Sequence, residues 1–148
     1  MNSKSENHGF VSEARDGQTL PRVGRVKVSS AETNGAFEVI ELTPGRKDGP
    51  PAHIHHEHDE CFYIIEGVYK FVLGTEEMEA QAGSVVFVPR GTRHSFMQSE
   101  GGRALVFAIP GGLLEGFFRE LGAGLAAGRS STALRAELAD KYDSEPLE

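Results

Sequence analysis

Between Gly24 and Ile109 the chain is a succession of short apolar runs separated by turn residues, and this alternation restricts it to folds built from antiparallel strands. The runs are Gly24 to Val28, Ala36 to Leu42, Cys61 to Ile65, Tyr69 to Leu73, Ser84 to Val88, His94 to Gln98 and Ala104 to Ile109. Each is bounded by Gly, Pro or charged residues. At least seven strands in about ninety residues, with no helix between them, imply a sandwich or a barrel. Thr33-Asn34-Gly35 separates the first two runs, and Asn-Gly suits a tight reversal because both residues tolerate positive φ.

After Pro110-Gly111-Gly112 the period changes. Leu113, Leu114, Phe117, Phe118 and Leu121 fall at i, i+1, i+4, i+5 and i+8, which paints one face of a helix; Leu134, Leu138 and Tyr142 repeat an i, i+4, i+8 spacing in a second. Gly122 to Arg129 reads as a flexible joint between them, and the charges from Arg129 to Glu148 as a solvated helix face. Ahead of the strands, Met1 to about Gln18 is polar and unpatterned, an arm either flexible or laid along a neighbouring subunit. The expected division is therefore an arm over 1–18, an all-β barrel over 19–112 and a helical tail over 113–148.

Composition narrows the partners. The 15 basic and 22 acidic residues leave a net charge of −7, which disfavours a phosphate backbone as ligand, since that binding needs clustered Lys and Arg. A small molecule is the expected partner. Cys61 is the sole cysteine, so no intramolecular disulfide forms and a reducing compartment fits. The apolar runs are too short to cross a bilayer, and the expectation is a soluble, cytoplasmic protein.

Chemistry concentrates in two segments. In an extended strand alternate side chains share a face, so His53 and His55 project together, and Glu60 and His94 arriving from neighbouring strands would complete one mononuclear metal site. Three imidazoles with one carboxylate leave one or two positions open on the ion, unlike a closed structural zinc site, and suit iron, manganese, nickel, cobalt or zinc. Asp59 would replace Glu60 if a bulge shifted the strand. By parity Phe62 and Ile64 share the face of Glu60, while Phe96 and Gln98 share that of His94. These make a substrate-binding wall, apolar with one amide to orient a polar group. His56 has the opposite parity and faces outward, with His58 also placed in a solvated loop; Cys61 points away from Glu60 as core filler, and Phe117 and Phe118 pack a helix on the barrel.

The two segments resemble the motifs of the cupin superfamily. Pro51-Ala52-His53-Ile54-His55, followed by Glu60 and Gly67, is similar to the first motif, and Gly83, Pro89, Gly91 and His94 keep the spacing of the second. Two positions depart: Lys47 stands where the first motif often opens with glycine, and Gln98 where the second often closes with asparagine. The segment 110–118 resembles the tail of small single-domain cupins grouped with bacterial quercetinase-like dioxygenases. The resemblance implies a double-stranded β-helix, or jelly-roll barrel, with two C-terminal helices. It implies one divalent transition metal held by His53, His55, Glu60 and His94, and a homodimer in which early strands cross to the partner. It further implies a dioxygenase acting on an aromatic or enol-type molecule, with Glu60 doubling as general base. The alternatives are a metal-dependent isomerase or cyclase, and a non-catalytic module that holds a small ligand.

Overall fold

A computed structural model describes residues 9–43, 49–98 and 101–147. The first eight residues of the arm and the Gly45 to Lys47 stretch, where the first motif departs, lie outside these. The apolar runs form two antiparallel sheets packed face to face. Strands β1 (Thr19–Leu20), β2 (Gly24–Val28), β3 (Glu38–Leu42), β5 (Asp59–Glu66), β8 (Val85–Val88) and β10 (Arg103–Ile109) build one sheet in the order β1-β2-β3-β10-β5-β8. The other runs β11 (Glu145–Pro146), β4 (His53–Ile54), β9 (His94–Gln98), β6 (Val68–Leu73) and β7 (Glu76–Gln81), in the order β11-β4-β9-β6-β7. Two helices, α1 (Leu114–Ala126) and α2 (Ser131–Tyr142), follow the last long strand. This is the jelly-roll barrel with two C-terminal helices that the resemblance implies, and it satisfies the sandwich-or-barrel expectation of the strand pattern.

Strand alternation puts the core where the parity argument places it. Along β5, Glu60, Phe62 and Ile64 are buried while Tyr63 faces solvent. Phe62 and Ile64 meet Tyr69 and Phe71 of β6, Ile40 of β3 and Val106 of β10 in one apolar cluster. Gly67, at the β5–β6 turn, has φ of +80° and lies so close to Gly102 that a Cβ would stand 2.8 Å from its Cα; both constraints exclude any other residue without strain.

Four elements depart from the expected pattern. β7 is an additional strand whose sequence, Glu-Glu-Met-Glu-Ala-Gln, buries only Ala80; it is held by the ladder it shares with β6 at the sheet edge, so no apolar alternation announced it. The β2–β3 reversal is not a tight hairpin: a 3-10 turn over Ser30–Thr33 precedes Asn34 and Gly35, both of which do adopt positive φ, at 54° and 81°. The supposed joint at Gly122 is helix. A Cβ on Gly122 would stand 2.4 Å from the Pro21 carbonyl oxygen, and one on Gly124 would stand 2.6 Å from Leu134 Cδ2, so these glycines allow α1 to pack closely rather than to bend. The described end of the arm is tied to β2 of its own chain: Arg25 donates to the Arg15 carbonyl at 2.7 Å and the Val26 N–H to the Gln18 carbonyl at 2.9 Å.

One buried carboxylate fixes where the tail begins. Glu38 at the start of β3 is fully buried, and its two oxygens accept the N–H groups of Gly112 (2.5 Å) and Glu115 (2.7 Å) at the start of α1. Those donors have no partner within the helix, and the helix dipole favours an anion there. Burial pushes the Glu38 carboxyl pKa up against the pull of the two donors. Glu38→Ala, which orphans both N–H groups, is expected to lower stability by about 1–3 kcal/mol in urea unfolding, and Glu38→Gln, which keeps one acceptor, by less.

Candidate metal centre

The site lies between the two sheets. β4 contributes His53 and, one residue past its end, His55; β9 contributes His94, paired in register with His53; and β5 of the opposite sheet contributes Glu60, paired with Val88 and Ala108. The two motifs are joined directly, because the N–H of Gly91, in its positive-φ turn at 84°, donates to the His55 carbonyl at 2.7 Å. One donor atom from each of the four residues falls within 4.8 Å of every other, and all four residues are buried.

Hydrogen bonding settles which nitrogen of each ring faces inward. His53 Nδ1 lies 2.8 Å from the Pro51 carbonyl, His94 Nδ1 2.9 Å from that of Thr92, and His55 Nδ1 2.7 Å from that of Asp143. A carbonyl only accepts, so each Nδ1 carries the proton and each neutral ring turns an Nε2 lone pair toward the centre. Glu60 Oε1 sits 3.1 Å from His94 Nε2 and 3.4 Å from His55 Nε2, and the latter nitrogen is buried without a hydrogen-bond partner. Lone pairs held face to face in this way call for a cation among them, and the donor set suits a divalent transition metal. The group is consistent with a metal site.

The charges agree with that reading. Burial, with His94 and His55 close by, drives the His53 pKa down to about 3 and leaves its lone pair free. Burial works against the ionised forms of Glu60 and His55 alike, but each stabilises the other's charge: the Glu60 carboxyl falls well below the usual range and the His55 pKa rises.

Beside the donors a cavity opens toward solvent. Phe62, Phe96 and Val106 wall it from the barrel, and Leu114, Phe117 and Phe118 roof it from α1. Its polar patch is the chain from the Tyr69 hydroxyl to Gln98 Oε1 (3.0 Å) and from Gln98 Nε2 to the Thr43 carbonyl (3.3 Å). Burial pushes the Tyr69 phenol up to about 12, so it stays a donor.

Residues 38–110 match the cupin domain family. The chain belongs to the cupin superfamily. It is 29% identical over 116 residues to quercetin 2,3-dioxygenase of Bacillus subtilis (strain 168), a match covering 76% of this chain and 34% of that enzyme, so it spans about a third of the relative's length. A solved protein with a double-stranded β-helix domain from Klebsiella pneumoniae superposes with a TM-score of 0.55 at 18% identity, covering 75% of this chain and 91% of the other. Pac13, a nucleoside dehydratase from Streptomyces, superposes with a TM-score of 0.56 at 16% identity, over 70% and 83% of the two chains. At these identities the two structures show the shared fold alone.

Within this cupin, the structure brings His53, His55, Glu60 and His94 together, and Asp59 is turned aside to pair with Arg90 at 3.1 Å. Phe62, Phe96 and Gln98 line the cavity, whereas Ile64 does not; two residues further along β5 it is sealed in the core. Phe117 and Phe118 do line it, contrary to a packing role alone, because α1 crosses the barrel mouth. Cys61 points away from Glu60 but is half-exposed on the outer face rather than core filler. His56 is exposed as expected; His58 is not. It is fully buried, packed at a tilt against His55 with ring centroids 4.1 Å apart and bonded through Nδ1 to Asp143 at 3.0 Å. Asp143 is likewise no solvated helix charge, and no sequence signal pointed to it, since its partners lie over eighty residues away.

Elemental analysis is expected to find one divalent ion per chain, lost in His94→Ala and retained in the outward-facing His56→Ala, with the β circular dichroism unchanged in both. Metal persisting in both His94→Ala and His53→Ala would contradict the assignment.

Proposed function

We propose that this cupin is a metal-dependent dioxygenase of quercetinase type, acting on an aromatic enol or flavonol. The observation that carries the reading is the set of convergent buried lone pairs from His53, His55, His94 and Glu60 at the head of an aromatic-walled cavity. The likeness to quercetin 2,3-dioxygenase supports it. When bound, a divalent ion would act as a Lewis acid that acidifies the substrate hydroxyl and stabilises its enolate.

The residues supply the rest. Glu60 is held ionised and takes the enol proton on its carboxylate; its depressed pKa makes it a weak base, so it serves only a hydroxyl that has itself been acidified. Phe62 and Phe96, edge to face with centroids 5.2 Å apart, clamp the apolar ring and exclude water. Gln98 spends one N–H on Thr43 and offers the other to a substrate oxygen, while Tyr69 locks the amide's orientation. The electron-rich enolate carbon is then presented to dioxygen, the co-substrate.

Oxygen uptake with a panel of flavonols and related enols, on protein loaded separately with iron, manganese, nickel, cobalt or zinc, tests this. Wild type is expected to consume oxygen with at least one pair, and Glu60→Gln to retain metal yet lose roughly two or more orders of magnitude in turnover. No uptake across the panel would favour a non-oxidative isomerase or cyclase, or a ligand-binding module; equal uptake by both proteins would place the base elsewhere.

The assembly we propose is a homodimer located in the cytoplasm. In support, the outer face of the six-stranded sheet exposes Tyr63, Val85, Phe87 and Ile109, with Val85 opposite Tyr63 in register on the edge strand. Light scattering is expected to give twice the 16.0 kDa chain mass, falling to the monomer value in Phe87→Glu.

A further inference from the structure

The tail of this chain ends against the His-x-His segment. Asp143, the residue that closes α2, adopts a left-handed backbone with φ 54° and ψ 50°, which turns its carbonyl and its carboxylate toward the same loop. The carbonyl accepts His55 Nδ1–H at 2.7 Å. The carboxylate accepts the main-chain N–H of His56 and of Glu57, both at 2.7 Å, and His58 Nδ1–H at 3.0 Å. One residue thus holds four consecutive positions, 55 to 58, and it is only 8% exposed. Beyond it the chain zips onto the ligand strand itself: β11 pairs Glu145 with Ile54 and Pro146 with His53, and the Leu147 N–H donates to the Ala52 carbonyl at 2.9 Å.

His55, His58 and Asp143 do not form a second metal site, because both Asp143 oxygens are already engaged by N–H donors and His55 turns its free nitrogen to the first. Their geometry points to another role. We infer that Asp143 is a positioning residue for the metal centre: from the end of the C-terminal tail it sets the tautomer of His55, braces that ring through His58, and thereby makes metal affinity depend on the tail. This rests on the four-residue metal reading above. The physical reason is that an imidazole ligand binds well only when its far nitrogen is held as a donor in the right plane, and loss of such support commonly weakens metal binding about 10–100-fold.

The test is Co²⁺ titration followed by visible absorption, on full-length wild type, Asp143→Gly and Asp143→Asn. Glycine keeps the left-handed turn and the main-chain carbonyl but removes the carboxylate; asparagine tolerates the same turn and keeps one acceptor oxygen. Asp143→Gly is expected to bind Co²⁺ about 10–100-fold more weakly and to show a shifted absorption band at saturation, with Asp143→Asn recovering part of both. Ile40→Val, destabilised in the barrel core without touching the tail anchors or positions 55 to 58, is expected to keep the wild-type band and affinity. Asp143→Gly matching wild type in affinity and band would overturn the positioning role alone, as would the same shift in Ile40→Val. Wild type that takes up no Co²⁺ would overturn the metal centre and this role with it.

Discussion

Three imidazole rings donate their Nδ1–H groups to main-chain carbonyls, and the rest of the site follows from that. With Pro51, Thr92 and Asp143 as acceptors, the Nε2 lone pairs of His53, His94 and His55 have nowhere to point but at one another and at Glu60. Such an arrangement is costly in a buried place unless positive charge sits in its middle. The fold holds it there because the two strands that carry His53 and His94 are paired in register, and because the Gly91 turn is tied to the His55 carbonyl.

The two sheets divide the labour. The five-stranded sheet carries the imidazoles, the six-stranded sheet carries the carboxylate, and the cavity is the gap between them continued toward α1. Phe62 beside Glu60 and Phe96 beyond His94 make the neighbourhood of the donors apolar, which strengthens the electrostatics of the charged groups there. The helical tail is as much a part of this arrangement as the barrel. Its first helix begins on the buried Glu38 carboxylate and roofs the cavity, and its second ends on Asp143. Glycines at 122 and 124, which could suggest slack, are where α1 comes closest to Pro21 and to Leu134.

The outer strands carry little of this. β7 buries one side chain and is held by its ladder with β6, and the outward residues of β5 and β8 leave an apolar strip in solvent. Among the described residues no helix is long and apolar enough to cross a membrane.

The sequence by itself determined the strands that bury alternate side chains, the sandwich-or-barrel class, the two helical faces and the four candidate donors. Each of these rests on a period or a spacing that lies within a few residues: His53 and His55 two apart, Glu60 and Phe62 on one face, His94 after a turn of Pro and Gly. Tertiary structure alone decided what depends on contacts between distant segments. That α1 roofs the cavity, that Ile64 is sealed off while Phe117 lines it, that His58 is buried, and that Asp143 grips the loop of His55 from over eighty residues away all follow from how the tail folds back over the barrel, and no local period records that return.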